Sequence, residues 1–321
     1  MDGPIILPDF SDLHILVVGD VMIDRYISGK VSRISPEAPV PVVEYHSTDN
    51  RAGGAANVAL NLKALEARVS LLSISGNDEN HTILSSILER NYQLNTHLIQ
   101  LQDRKTTIKT RIMAGNQHLL RIDSEDTHDI TEDEECRVFD KFKKIIASEK
   151  VDGVILQDYN KGLLTESLIK NIIQTCNHQS IPTYVDPKKK NFFAYQNCTL
   201  FKPNKKEVIE ATGEQDLNTI DAIIRNRLHH QISMITLGSH GIYFHDGHTG
   251  QVFPTTPRVI SDVCGAGDSV ISIACLCHLK DIDLNLIAVI SNIAGGQVCE
   301  YPGVVPIQLS NLRDELDNQV V

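Results

Sequence analysis

No apolar run in the sequence is long and uninterrupted enough to span a bilayer, so a soluble protein without membrane partners is expected. The first ten residues, MDGPIILPDF, lack a positively charged segment, and Pro8 and Asp9 cut their apolar run short; no signal peptide is read there. Basic side chains are in deficit, with 30 Lys and Arg against 41 Asp and Glu and a formal charge of −11. That balance opposes broad binding to nucleic acid or an anionic membrane, yet leaves room for a local basic pocket. The 13 histidines show no metal-ligand spacing, and Cys275 and Cys277, two apart on an expected helix, point in different directions; zinc is not expected. The seven cysteines are odd in number and scattered, which reads as free thiols in a reducing, cytoplasmic setting. No repeat, low-complexity tract or linker divides the 321 residues, and one domain over 1–321 is expected. No G-x-G-x-x-G follows the first strand, which argues against a dinucleotide-dependent dehydrogenase.

What the chain does contain is short aliphatic runs alternating with helical segments. His14 to Gly19, stopped by Gly19-Asp20, reads as a buried strand, and Val69 to Ser75 as another, followed by a helix to Arg90. From residue 131 the alternation is regular. A helix opens at Thr131 with capping-box spacing to Glu134; strands follow at 153–157, 182–185, 200–202 and 233–237, each ended by polar or glycine residues. This pattern predicts an α/β fold with a doubly wound, mainly parallel sheet, helices on both faces and one functional rim. Two stretches fall outside it. Pro36, Pro39 and Pro41 crowd one segment, and residues 106–121 alternate polar and apolar around a turn at Gly115-Asn116. Segments of about 25–50 and 105–123 are therefore expected to form a small antiparallel β lid.

Several rim residues are candidates for chemistry. Asp20 and Asp24 at the first strand's end suit sugar hydroxyls, although Asp20 serves equally well as a turn cap. Gly53-Gly54 opens an alanine-rich helix bearing Asn57, which permits either close ligand approach or tight helix packing. The most informative stretch is Asp262 to Ile271, D-V-C-G-A-G-D-S-V-I. Its glycines would bring N–H groups of Gly265, Ala266 and Gly267 near an anion at a helix start, with Asp268 beside them as base. Taken alone it reads as well as a glycine loop with a capping acid.

Gly53-Gly54, Asn204-Lys205-Lys206-Glu207 and Asp262 to Asp268, in this order, resemble the motifs of the PfkB (ribokinase-like) carbohydrate kinases, over Ile15 to about Ile307. Within that family Gly19 to Tyr26, Ser32 to Val42 (SRISPEAPVPV), Asn116 to Arg121 and Asp158 to Gly162 (DYNKG) resemble the bacterial heptose-7-phosphate kinases. No nucleotidyltransferase segment follows within the sequence, so a stand-alone kinase is expected. The resemblance implies ATP-dependent phosphorylation of a sugar phosphate, with Mg²⁺ placed by Asn204 and Glu207, the latter pair fitting a helix cap as well. It implies Asn204, Glu207, Gly238, Gly241, Gly265, Gly267 and Asn292 near the nucleotide, and Asp20, Asp24, Gly53, Gly54 and Asn57 on sugar hydroxyls. Arg111, Lys161 and Lys188 are the candidates for the acceptor's phosphate. It leaves open a monovalent cation, and a kinase for another sugar or nucleoside or an inactive nucleotide-binding scaffold remains the alternative. A homodimer through the lid is expected. Cys264 stands where relatives usually carry Thr.

Overall fold

The structure, a computed structural model, describes residues 5–115 and 117–318; Asn116 of the expected lid turn and the first four residues of the N-terminal stretch lie outside them. β1 (His14–Gly19) is buried at every position. Its side chains alternate between two cores, Ile15 and Val17 facing one and Leu16 and Val18 the other, which is why the run reads as continuously apolar. β4 (Arg68–Gly76) and β8 (Gly153–Gln157) flank it in parallel. Beyond β8 come β9 (Thr183–Asp186), β10 (Leu200–Phe201) and β11 (Ile232–Thr236), also parallel. The first core is covered by α1 (Ala55–Ala64), α2 (Glu79–Ser85), α7 (Ala266–Leu279), α8 (Leu284–Val298) and α9 (Leu309–Asp317). The second lies under α3 (Glu132–Ser148), α4 (Glu166–His178) and α6 (Leu217–Leu228).

The sheet has nine strands, three more than the sequence pattern predicts. The additional ones sit at its margins: β5 (Asn95–Leu101), parallel beyond β4, and β12 (Ile242–His245) with β13 (Gly250–Phe253), antiparallel beyond β11. β5 and β13 are partly exposed edge strands with mixed polar sequences, so neither periodicity nor an apolar run marks them.

The second sheet has the order β3-β2-β6-β7, from β2 (Val21–Ile34), β3 (Pro41–Gly54), β6 (Ile108–Ala114) and β7 (Gln117–Ser124). β2 pairs with β3, and β6 with β7, in antiparallel fashion, while the central β2–β6 pairing is parallel. Pro36 and Pro39 lie in the turn between β2 and β3, and Pro41 begins β3, so the prolines sit at the end of the ladder.

α3 shows how local and tertiary terms divide. The Thr131 hydroxyl accepts from the Glu134 N–H while the Glu134 carboxylate accepts from the Thr131 N–H, closing the expected capping box. Val138, Phe142, Ile145 and Ile146 form its buried stripe. Phe142→Ala is predicted to cost about 3–5 kcal/mol and Thr131→Ala about 1 kcal/mol. Urea unfolding of the two variants measures both; equal losses would contradict this division.

Candidate active site

Asp268 occupies the first turn of α7 and is buried. Gly265, the residue that caps this helix, has φ of 84°, and a Cβ there would come within 2.9 Å of Asn57 Nδ2. That nitrogen donates to Asp268 Oδ2 at 2.7 Å, so the glycine leaves room for the donor that holds the acid. Asp268 Oδ1 accepts from Tyr159 Oη at 2.8 Å and from Gln157 Nε2 at 3.1 Å. Three neutral donors on a carboxylate with about four acceptor positions leave one lone pair for an incoming hydroxyl.

Among the described residues no cation pairs directly with Asp268. Lys202 Nζ lies 3.0 Å from Asp186 Oδ2, and the Gln157 amide donates to that same Asp186 oxygen at 3.1 Å. Burial pushes the Asp268 carboxyl up, from 3.8 to about 6, against the hydrogen bond from Asn57; nearby Asp186 adds to the rise, while Tyr159 and Lys202 oppose it. Burial also acts to raise Asp186, but Lys202 and Lys188 outweigh it and hold that carboxyl below 3.8. Two neighbouring carboxylates are thus driven apart, one a permanent anion and the other an acid–base group near neutrality.

A cavity of about 990 Å³ opens beside the α7 N-terminus. Asn204, Gly238, Gly241, Ala266, Gly267 and Asn292 line it, five of them expected near the nucleotide and Ala266 in the anion hole. Its volume is that of a small-molecule cofactor site. Gly265 and Glu207 are not in its wall. Glu207 instead completes a capping box with Asn204 at the start of α5 (Lys205–Thr212), and its Oε1 meets Lys188 Nζ at 2.5 Å. Asn292 uses its amide to donate to the Phe253 carbonyl at 2.9 Å.

The residues expected on sugar hydroxyls separate into two groups. Asp20 is buried, and its oxygens accept the backbone N–H groups of Tyr159, Lys161 and Leu163 at 2.9, 3.0 and 3.4 Å. Its contacts are those of a loop anchor. Gly54, at φ of 63°, closes against the Asp20 carbonyl, where a Cβ would come within 2.3 Å. Gly53 makes space for Asp24, since a Cβ there would lie 2.0 Å from Asp24 Oδ2. Asn57 turns its amide to Asp268. Asp24, on the lid, pairs with Arg111 at 2.5 Å. Each expected phosphate ligand already has an acidic partner: Arg111 with Asp24, Lys188 with Glu207, and Lys161 with Glu125 at 2.7 Å.

Gln157, Tyr159, Asp186 and Lys202 form the remainder of the polar network around Asp268, and none of them was among the candidates. A signal existed, because Gln157 and Asp186 end β8 and β9 and Lys202 follows β10, all on the rim where open α/β sheets bind ligands. Cys264 donates its N–H to Asp262 at 3.0 Å; burial, then Asp262, push its thiol up to about 11, so it stays protonated at neutral pH.

Comparison with known proteins agrees with the fold. Bifunctional protein HldE of Sulfurimonas denitrificans is 36% identical over 315 residues, covering 96% of this chain and 65% of the relative. Its counterpart in Aliarcobacter butzleri is 37% identical over 306 residues, covering 94% and 64%. The chain therefore spans slightly less than two thirds of these curated relatives. Among solved structures, the tetrameric inhibited form of phosphofructokinase-2 from Escherichia coli superposes with a TM-score of 0.77 at 16% identity, over 95% of this chain and 99% of that one. Arabidopsis thaliana ribokinase complexed with ribose and ATP gives 0.70 at 14% identity, over 95% and 98%. The sequence pattern of the pfkB family carbohydrate kinases matches residues 12–309. The chain belongs to that family, a class of ATP-dependent sugar kinases.

Proposed function

We propose that the chain transfers the γ-phosphoryl group of ATP to the anomeric hydroxyl of D-glycero-D-manno-heptose 7-phosphate, yielding the 1,7-bisphosphate and ADP in the cytoplasm. The observation that carries the choice of acceptor is the 36–37% identity to bifunctional HldE proteins over nearly the whole chain, since the sequence resembles their heptose-kinase half. Asp268 takes the hydroxyl proton as the acceptor oxygen bonds to phosphorus and the bond from phosphorus to the β-phosphate oxygen breaks. The N–H groups of Gly265, Ala266 and Gly267 at the α7 terminus receive the charge that develops on the phosphoryl oxygens. Asn57, Tyr159 and Gln157 fix the base, and Asp186 retains Lys202 so that no cation quenches it.

A magnesium ion, when bound, would neutralise charge on the nucleotide phosphates. Among the described residues no group of three His, Cys, Asp or Glu converges as an ion cage, but Asn204 and Glu207 supply oxygens of the hard type this ion takes. They would hold it through water, as magnesium keeps much of its hydration. A monovalent cation belongs to the same proposal, as E. coli phosphofructokinase-2 was crystallised in complex with potassium.

The lid leaves Ile34, Val40, Tyr45, Leu120 and Ile122 exposed, each by more than half. Exposed apolar side chains on both outer strands of a small sheet fit a homodimer formed through the lid. Light scattering at micromolar concentration should give twice the 35.6 kDa chain mass, and Leu120→Glu should shift it towards one; a monomeric wild-type protein would refute the dimer.

Two kinetic outcomes follow for the base. Asp268→Asn is predicted to lower kcat by about 10²–10⁴-fold, and an unimpaired variant would overturn the mechanism. The wild-type rate should fall with acid below pH of about 6 as Asp268 takes up its proton. Asp158 is also pushed to about 6, chiefly by burial and Asp20, but Asp158→Asn should retain the acid limb. The stability sign is opposite. Between pH 3.8 and about 6 the folded chain holds this proton and the unfolded chain does not, so the Asp268 contribution weakens as pH rises. Asp268→Asn should therefore unfold no more easily than wild type at neutral pH. Turnover of unphosphorylated sugars or nucleosides alone would exclude the heptose-phosphate acceptor.

A further inference from the structure

Directly opposed residues of neighbouring strands project to the same face of a sheet. The lid register therefore places Asp24, Arg51, Lys109, Arg111, Arg121 and Asp123 on one face, with Tyr26 between the two arginines Arg51 and Arg111. Tyr26 brings that face against Gly303, whose N–H donates at 3.1 Å to Asp262, six residues before Asp268. The Tyr26 ring lies under the Arg51 and Arg111 guanidinium groups, and a Cβ on Gly303 would come within 3.0 Å of the Tyr26 hydroxyl.

The charges on this face do not balance. Arg111 is paired with Asp24, Arg121 with Asp123 at 2.9 Å, and Arg51 with Asp49 at 2.8 Å. Just beyond β7, Glu125 is paired with Lys161 at 2.7 Å. Lys109 is half-buried among these groups, and among the described residues it has no acidic partner within 4 Å. Burial, then the neighbouring Lys161, lowers its ammonium pKa, opposed by Glu125 and Asp123. Keeping an unpaired ammonium half-buried beside a second one is costly unless an anion joins them.

Lys161 is itself fixed in place. Its N–H donates to Asp20 at 3.0 Å and its carbonyl accepts from buried Arg104 at 2.5 Å. It lies two residues from Tyr159, whose hydroxyl holds Asp268. The site for a second anion thus sits on the acceptor side of the base, away from the nucleotide cavity, whose wall includes neither lysine.

We propose that Lys109 and Lys161 together bind the phosphomonoester dianion of the acceptor sugar, so that this lysine pair, one from the lid and one from the loop after β8, sets the preference for a phosphorylated acceptor. The proposal rests on the sugar-phosphate reading above. It places the phosphate contact on Lys109, which among the described residues has no acidic partner, and on Lys161, shared there with Glu125, rather than on Arg111 and Lys188. A dianion between the two ammonium groups gives Lys109 its missing partner and makes lid placement depend on the substrate's phosphate.

Steady-state kinetics with D-glycero-D-manno-heptose 7-phosphate and with the same heptose lacking phosphate test it. Lys109→Met should raise KM for the phosphorylated sugar by about 10–100-fold, with kcat and the KM for ATP within about twofold, and should leave the unphosphorylated sugar unchanged. Lys109→Arg, which keeps the charge, should recover most of the loss. Should Lys109→Met fail to bind ATP, the comparison passes to Lys109→Gln. An unchanged KM, or equal losses on both sugars, would overturn the role of Lys109. A wild-type enzyme that does not distinguish the two sugars overturns the sugar-phosphate reading as well; one that does, with a variant that still does, removes only the lysine pair.

Discussion

The site depends on one constraint: a carboxylate must be buried without being neutralised by a cation. An ion pair would hold Asp268 well below neutrality, where it is a poor proton acceptor. The fold avoids this by giving Lys202 to Asp186 and using amide and phenol donors for Asp268. Gln157 is the connecting element, because its amide touches both carboxylates at 3.1 Å. Whatever disturbs Asp186 therefore reaches Asp268, through Lys202 released towards it and through the orientation of Gln157.

This arrangement needs the doubly wound sheet. Gln157, Asp186 and Lys202 come from three adjacent strand ends, Asn57 from the first helix, and Asp268 from a helix more than two hundred residues later. Each local segment is stabilised by apolar packing on one of the two cores, which fixes the backbone to which these polar groups are attached. The glycines act at the seams. Gly265 leaves space for Asn57, and Gly53 for Asp24. A methyl group at either position would displace a polar atom of the site rather than merely strain a turn.

The interior of the sheet was legible in the sequence because β1, β8, β9 and β11 are buried on both faces and bounded by polar punctuation. Its margins were not, since β5 and β13 mix exposed polar positions with few apolar ones. Asp268 and the glycines before it were legible as a motif, whereas the network around Asp268 was not. Its members are far apart in sequence, and a lone Gln157 or Tyr159 carries no spacing signal. Asp20 shows the converse difficulty: an acid at a strand end reads equally as ligand or anchor, and only the three N–H groups that it accepts describe its contacts. Lys109 was concealed in a run of alternating polar residues until the strand register showed which charges were already matched.

The lid and the core contribute different parts of recognition. In the proposed mechanism the core supplies the base, the anion cradle and the nucleotide cavity, and the lid a charged face on which Lys109, among the described residues, has no acidic partner. The central claim concerns the ionisation of Asp268, and it is tested most directly by infrared difference spectra of wild type against Asp268→Asn across a pH titration. A carboxyl band that titrates at about 6 and is missing from the variant is the predicted result. A band titrating near 3.8 would show that the carboxylate is matched by a cation after all, and would contradict the account.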